Sequence, residues 1–208
     1  MSQSAGSRAE ADSPKRQAIL TAAGELFMQQ GYGATSMDAI ARAAGVSKAT
    51  LYAHFASKDA LFATIINEAC RQNMAVADLL PAGGDDPAAV LTILGGRVLR
   101  FLLEDRALAI HRVVIAESVR FPELGRAFYE NGPAMFREAF AAWLRRQEQA
   151  GRLAVPAPLS AADQFLGMLR GTGLFLRVSL GVSPPCSEAE ITATVDAAVR
   201  TFMRAYGT

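Results

Sequence analysis

The sequence has few residues that form covalent cross-links or bind metal ions. Only two cysteines, Cys70 and Cys186, and two histidines occur among its 208 residues. The cysteines stand far apart and belong to no recognisable pair, which argues against a disulfide framework and against a zinc site. We therefore expect no metal ion or other cofactor, and we expect the protein to work in a reducing cytoplasm.

Long apolar runs and a strong net charge are also missing. The longest apolar candidate, FLGMLRGTGLFLRVSLGV, is interrupted by Arg170 and Arg177, so we expect no membrane-spanning helix. Residues 1–13 are small and polar, lack the apolar core of a signal peptide, and are predicted to form a disordered tail. Because the formal net charge is only +1, a polyanion would have to be bound by locally placed basic groups.

What the sequence does contain is helical periodicity from end to end, without the sustained alternation of a strand. Hydrophobic residues make up 51% and charged residues 20% of the chain, which is typical of a globular protein. We therefore predict an all-α fold. After a first helix that carries Ile19, Ala22, Ala23, Leu26 and Phe27 on one face, and two short helices, longer ones are predicted at about 57–80, 87–104, 106–120, 123–131, 133–150, 161–180 and 188–206.

Local signals mark where several of these helices begin and end. Ser47 and Ser57 are suitable N-cap residues, and Thr35 followed by Asp38 resembles a capping box. Two more capping signatures are Ser160 with Asp163 and Ser187 with Glu190. Glycines that suit helix ends or turns are Gly31, Gly45, Gly151 and Gly181.

Two short helices joined by a turn at Gly45, with a longer amphipathic helix in front, indicate a helix-turn-helix unit. Ser47 and Lys48 stand at the start of the second short helix, where exposed N–H groups and the helix dipole favour a phosphate. A recognition helix presents this end to base edges in the major groove. The small core predicted for the unit consists of Ile19, Phe27, Ile40, Val46, Leu51 and Phe55.

The stretch AILTAAGELFMQQGYGATSMDAIARAAGVSKATLYAHFASKDALF resembles the DNA-binding domain of the TetR/AcrR family of transcriptional regulators. HRVVIAESVRFPELGRAFYENGP, further along the chain, is similar to the AefR-like subgroup. The resemblance implies an all-helical homodimer with a DNA-binding domain at 14–73, in which the helix-turn-helix covers about 36–55. It also implies a ligand-binding and dimerisation domain at 74–208.

The same resemblance assigns DNA contacts to the recognition helix 48–54 and its neighbours. Several assignments have a structural alternative: Tyr52 could simply pack, His54 could be structural, Lys58 could be solvated, and Thr35 could only cap a helix. Between residues 14 and 60, five basic and three acidic residues give a net charge of +2, a modest footprint for phosphate binding. The predicted DNA-binding residues are Thr35, Ser47, Lys48, Thr50, Tyr52, His54 and Lys58.

Polar groups on otherwise apolar helices of the C-terminal half indicate a possible ligand site, since such groups need a partner when they are buried. For each of these residues, and for the aromatic residues near them, ordinary core packing is the alternative. The ligand-site candidates are Phe101, His111, Glu117, Phe140, Trp143, Met168, Arg170 and Phe175. The expected ligand is a small apolar or amphipathic molecule.

Segments 161–180 and 188–206 carry more apolar surface than one side facing a core requires. Paired with the same segments of a second copy, they would form a four-helix bundle; burial within one chain is the alternative. The leading hypothesis is a ligand-released repressor that binds a palindromic operator as a homodimer. An all-helical protein-binding adaptor is an alternative, and a hydrolase that uses Ser118, His111 and Asp105 is another, although no nucleophile elbow supports it.

Overall fold

The computed structural model describes residues 13–73, 80–81, 86–182 and 186–208, apart from the side chains of residues 70–73 and 172. The described residues are mostly helical, which confirms the predicted all-α fold, and none of their helices is long and apolar enough to cross a membrane. The α-helices of more than one turn are α1 (Pro14–Gln30), α2 (Met37–Ala43), α3 (Lys48–His54), α4 (Lys58–Asn73), α5 (Pro87–Leu103), α6 (Asp105–Glu117), α7 (Pro122–Asn131), α8 (Pro133–Gln149), α9 (Pro158–Leu169) and α10 (Glu188–Tyr206).

The chain divides into two compact units, and the division is not a simple cut along the sequence. The first unit contains the residues up to Glu68 together with Ala109–Asn131. The second contains Ala69–Leu108 and Gly132–Thr208. Most of α6 and all of α7 therefore belong to the same unit as the predicted helix-turn-helix. The expected domain limits of 14–73 and 74–208 remain a prediction.

In the first unit, local sequence signals determine where the helices begin and end. Pro14 occupies the first turn of α1, and Gly31 ends it with φ +81°. Gly45 adopts φ +65° in the turn between α2 and α3, a conformation that costs glycine little. The N-cap of α2 is Ser36, whose hydroxyl accepts from Ala39 N. The expected capping role of Thr35 with Asp38 is therefore wrong by one residue.

The core of the second unit is built from α5, α8, α9 and α10, which pack against one another. Aromatic rings run through it: Phe165 lies with its ring centroid 5.6 Å from that of Phe140 and 5.5 Å from that of Phe202, both edge to face. Edge-to-face pairs at this distance add to the free energy of burial. The other large, fully buried side chains of this core include Trp143, Leu91 and Leu94.

The predicted continuous helix at 161–180 is wrong. Helix α9 starts earlier, at Pro158, so that Ser160 lies inside the helix and does not cap it, and α9 ends at Leu169. Gly171 is extended (φ −63°, ψ 167°), and a π-helical segment, Thr172–Leu176, follows, then a single α-turn, Arg177–Ser179. Glycine has low helix propensity, and extended Gly171 interrupts the helical path. Helix α4 is described as far as Asn73, and its predicted continuation toward residue 80 falls on residues 74–79, which lie outside the described part of the chain.

Candidate nucleic-acid interface

Helix α3 has only seven residues and is held by its two ends and one buried face. Leu51 and Phe55 are buried, with Leu51 completely inaccessible to solvent. The hydroxyl of Ser47 accepts from Thr50 N at 3.1 Å, as an N-cap should. An isolated helix of this length would be marginal in water. Packing and capping therefore fix α3, and most of its polar side chains are free to face outward.

The outward face of α3 carries four of the predicted DNA-binding residues. Ser47 and Lys48 are exposed, Thr50 is half-buried, and Tyr52 keeps 51% of its surface in solvent. Lys48 Nζ lies 2.5 Å from Asp38 Oδ2, an exposed ion pair between α3 and α2. Such pairs contribute little to stability, so the ammonium group can change partners at small cost.

The other three predicted DNA-binding residues are buried or half-buried. His54 is half-buried, with its ring centroid 6.3 Å from that of Phe55. Thr35 is 1% exposed and its hydroxyl donates to Gly31 O at 2.7 Å. Lys58 Nζ donates to Tyr32 O at 2.7 Å and to Thr35 O at 2.9 Å. The side chains of Thr35 and Lys58 thus serve the interior of the unit.

Sequence reasoning did not identify the role of Tyr32, which lies at the centre of this interior. Its ring is 1% exposed and its hydroxyl donates to Asp59. Burial, followed by the hydrogen bond to Asp59, raises the pKa of Tyr32 well above its usual range. Burial also lowers the pKa of Lys58, against the opposing effect of nearby carboxylates. The one sequence signal for this site is that Tyr32 directly follows Gly31, the glycine that ends α1.

The ligand-site candidates fall into both units. His111, half-buried and with its ring centroid 6.1 Å from that of Phe128, belongs to the first unit. Glu117 belongs there too, and its carboxylate accepts from Tyr32 N at 2.5 Å and Gly33 N at 2.6 Å. Glu117 was a ligand candidate because a buried polar group needs a partner, and these contacts provide one within the protein.

The other candidates lie in the second unit, where core packing accounts for most of them. Phe140 stacks on Trp143 with ring centroids 6.1 Å apart, and Phe101 and Met168 pack against the same core. Arg170 is exposed, with its guanidinium 5.2 Å from the ring centroid of Phe175. Trp143 differs from the rest, because its Nε1 is buried without a hydrogen-bond partner.

A surface groove of about 570 Å³ runs along α9, the π-helical segment and α10. Small side chains and glycines form much of its wall, and among the described lining residues Glu190 alone is acidic. At the end of the π-helical segment and beyond it, the surface carries the exposed apolar side chains Leu176, Leu180 and Val182. The groove residues are Met168, Leu169, Gly171, Gly173, Leu174, Glu190, Ala193, Thr194, Ala197, Ala198 and Thr201.

Comparison with known proteins agrees with this geometry. Residues 19–65 match the family model described as bacterial regulatory proteins, tetR family, and residues 89–208 match the AefR-like transcriptional repressor, C-terminal domain. The HTH-type transcriptional regulator RutR of Escherichia coli K12 is 43% identical over 63 residues, which are 30% of this chain and 30% of RutR. The chain thus matches under a third of the length of that curated relative.

Two solved structures cover nearly the whole chain. A TetR-family regulator from Mesorhizobium loti is 30% identical with a TM-score of 0.80, and the flavonoid-responsive regulator FrrA is 38% identical with a TM-score of 0.77. Each comparison covers 93% of this chain and 97% of the other. The resemblance seen in the sequence is therefore confirmed: the chain belongs to the TetR family of bacterial transcriptional regulators and has an AefR-like C-terminal domain.

Proposed function

We propose that this protein is a cytoplasmic repressor that binds a palindromic operator as a homodimer and leaves it when a small molecule binds. The observation that carries the proposal is the outward face of α3, where Ser47, Lys48, Thr50 and Tyr52 stand together on a helix anchored by Leu51. A helix fixed from behind, with polar and aromatic groups in front, suits the major groove.

The residues of this face have distinct chemical roles in the proposal. Lys48 can exchange Asp38 for a guanine edge or a phosphate, and Thr50 can contact a base or a thymine methyl group. Ser47, at the N-terminus of α3, and the imidazole of His54 would hold phosphates. We leave the side chains of Thr35 and Lys58 out of the contact set, because their polar atoms already bind backbone carbonyls.

Dimerisation would use the groove formed by α9, the π-helical segment and α10. Gly171, Gly173 and Ala197 leave room for a second backbone to approach, and Leu180, four residues after the π-helical segment, is 68% exposed and offers apolar surface. Two copies related by a two-fold axis would form a four-helix contact. The two recognition helices would then read half-sites about 34–36 Å apart or a multiple of that distance.

The ligand would bind in the second unit, where Trp143 Nε1 is a buried donor without a hydrogen-bond partner in an apolar core. A buried N–H without an acceptor is costly, and a ligand oxygen could satisfy Trp143 Nε1. FrrA is described as flavonoid-responsive, and a planar aromatic molecule with hydroxyl and carbonyl groups would suit stacked Phe140 and Trp143. A ligand that prefers the DNA-free state would typically shift operator binding by about 1–3 kcal/mol.

The DNA-binding proposal is tested by selecting fragments of genomic DNA with the purified protein. We expect enrichment of a palindromic sequence, and we expect Lys48→Ala to weaken binding to it in a mobility-shift titration. Affinity should fall steeply with added salt, because phosphate contacts release counterions. Failure to enrich any sequence, with weak and salt-insensitive DNA binding, would instead favour the protein-binding adaptor.

The ligand proposal is tested through the fluorescence of Trp143, the only tryptophan in the chain. A panel of flavonoids is titrated into the protein with and without operator DNA. We expect at least one compound to quench Trp143 and to release the DNA over the same concentration range. Release without any change in Trp143 fluorescence would argue against this location for the ligand.

A further inference from the structure

The loop between α1 and α2 is held by a carboxylate from a distant part of the chain. Both oxygens of Glu117, the last residue of α6, accept backbone hydrogen bonds from this loop: Oε1 from Tyr32 N at 2.5 Å and Oε2 from Gly33 N at 2.6 Å. Two consecutive N–H groups aimed at one anion form a concave anion-binding site. Hydrogen bonds to a charged acceptor are stronger than those between neutral groups.

The loop sequence suits this close approach. A Cβ atom on Gly31 would overlap Glu117 Oε1, and Gly31 also adopts φ +81°. A Cβ atom on Gly33 would lie 2.8 Å from Phe121 Cε2 and 3.0 Å from Glu117 Oε2. Glycine at both positions therefore leaves the path of the carboxylate to the amides open.

The carbonyl groups of the same loop are held from α4. Lys58 Nζ donates to Tyr32 O and Thr35 O, and it lies 4.2 Å from the ring centroid of Tyr32. The Tyr32 ring in turn meets Phe121 edge to face at 5.6 Å. Cations over aromatic faces contribute to stability when they are partly desolvated. Thus an anion fixes the N–H groups of the loop and a cation fixes its carbonyls.

This loop leads directly into the helix-turn-helix. Ser36, one residue after Thr35, caps α2, and α2 is followed by Gly45 and α3. Glu117 lies within residues 89–208, the part of the chain that matches the C-terminal domain of the family. It nevertheless belongs to the same compact unit as α1–α3.

We propose that Glu117 is a positioning residue for operator recognition: its carboxylate fixes the 31–35 loop and so sets the orientation of α2 and α3. The proposal rests on the proposed DNA-binding function. It makes operator affinity depend on a residue that does not touch DNA. It also connects the C-terminal end of α6, through the 31–35 loop, to the helix-turn-helix.

The sign of the expected effect separates this role from simple electrostatics. Replacing Glu117 by an uncharged residue makes the protein more positive, and charge alone would then strengthen binding to DNA. Loss of the loop's anchor predicts the opposite, because a misplaced α3 cannot align its side chains with the base edges. Glu130, exposed on α7 in the same unit, provides a matched control for the change in charge.

The experiment compares Glu117→Ala, Glu117→Gln, Gly33→Ala and Glu130→Ala with the unaltered protein. Each is titrated against the selected operator and against a scrambled duplex of equal length and composition. We expect Glu117→Ala to lower operator affinity by about tenfold or more, the effect of losing charge-assisted bonds. Gly33→Ala should reproduce the loss, Glu117→Gln should fall between, and Glu130→Ala should bind as tightly as the unaltered protein or more tightly.

A merely structural defect would weaken binding to both duplexes. Binding to the scrambled duplex therefore distinguishes such a defect from the proposed role of Glu117. We expect all four variants to bind it at least as well as the unaltered protein does. Operator affinity undiminished in Glu117→Ala would overturn the proposal, and so would parallel loss on both duplexes together with a lower melting temperature. If the unaltered protein itself selects no operator, it is the proposed function that fails.

Discussion

The two compact units are stabilised in different ways. The first combines a small core around Leu51 with charge-assisted bonds, including those of Glu117 and Lys58 to a single loop. The second relies on a continuous apolar core in which Phe165 contacts both Phe140 and Phe202. The difference suggests that the orientation of helices in the first unit depends on a few polar contacts, whereas the second unit tolerates variation as long as its volume is filled.

The largest expected effect is in the aromatic core of the second unit. Phe165→Ala should lower the free energy of unfolding by about 3–5 kcal/mol, because it leaves a cavity between Phe140 and Phe202. Chemical denaturation followed by circular dichroism measures this loss. A loss below about 1 kcal/mol would mean that this core can collapse around the cavity and is less tightly packed than we describe.

A core substitution in the first unit, with a smaller side chain removed, tests the difference between the two units further. Leu51→Ala in α3 should cost about 2–5 kcal/mol and should also abolish operator binding, since Leu51 anchors the outward face. Phe165→Ala, studied at a temperature where it stays folded, should retain DNA binding. The two are compared by mobility shift under those conditions. Operator binding by a folded Leu51→Ala protein would show that α3 does not need this anchor.

One serine N-cap in each unit allows the two units to be compared with a smaller expected loss of stability. Ser47 caps α3 and Ser187 caps α10, the latter in a full capping box with Glu190. Replacing either serine with alanine should cost about 0.5–2 kcal/mol of stability. Only Ser47→Ala should also weaken operator binding. Equal operator affinity for the two variants would remove Ser47 from the interface.

The smallest effect is expected in the alkaline range. Because folding raises the pKa of Tyr32 above its ordinary value of 10.0, the folded state favours the neutral phenol. That contribution to stability is complete below pH 10 and is lost as the pH rises above it. Ultraviolet titration should show a late-ionising tyrosine that is absent in Tyr32→Phe. A titration unchanged by this substitution would contradict the buried, hydrogen-bonded phenol.

Interactions between near neighbours in the sequence were predictable, and distant ones were not. Gly31, Gly45, Ser47 and the Ser187 capping box follow local rules and were confirmed. The bond from Tyr32 N to Glu117 joins residues 85 positions apart, and no periodicity signals it. Burial of the Thr35 hydroxyl against Gly31 O likewise depends on the folded loop, so Thr35 looked like a cap.

The break in the helix at Gly171 also could not be predicted from the local sequence pattern. Apolar spacing across 161–180 is compatible with a continuous helix, although Gly167, Gly171 and Gly173 lie within the segment. The extended conformation of Gly171 and the π-helical segment after it arise from packing that the pattern does not contain. Ligand contacts also depend on packing that the sequence pattern does not contain. The predicted ligand-site residues therefore remain a prediction.

The central claim is that the outward face of α3 reads operator DNA, and a pair of tyrosines tests it most directly. Tyr52 on α3 and Tyr129 on α7 are similarly exposed, at 51% and 54%. Operator affinity is measured by titration for Tyr52→Ala and Tyr129→Ala, with dimer formation checked in each. The account predicts about a tenfold or greater loss for Tyr52→Ala alone, the scale of one lost base contact. Equal affinity of the two variants would contradict it.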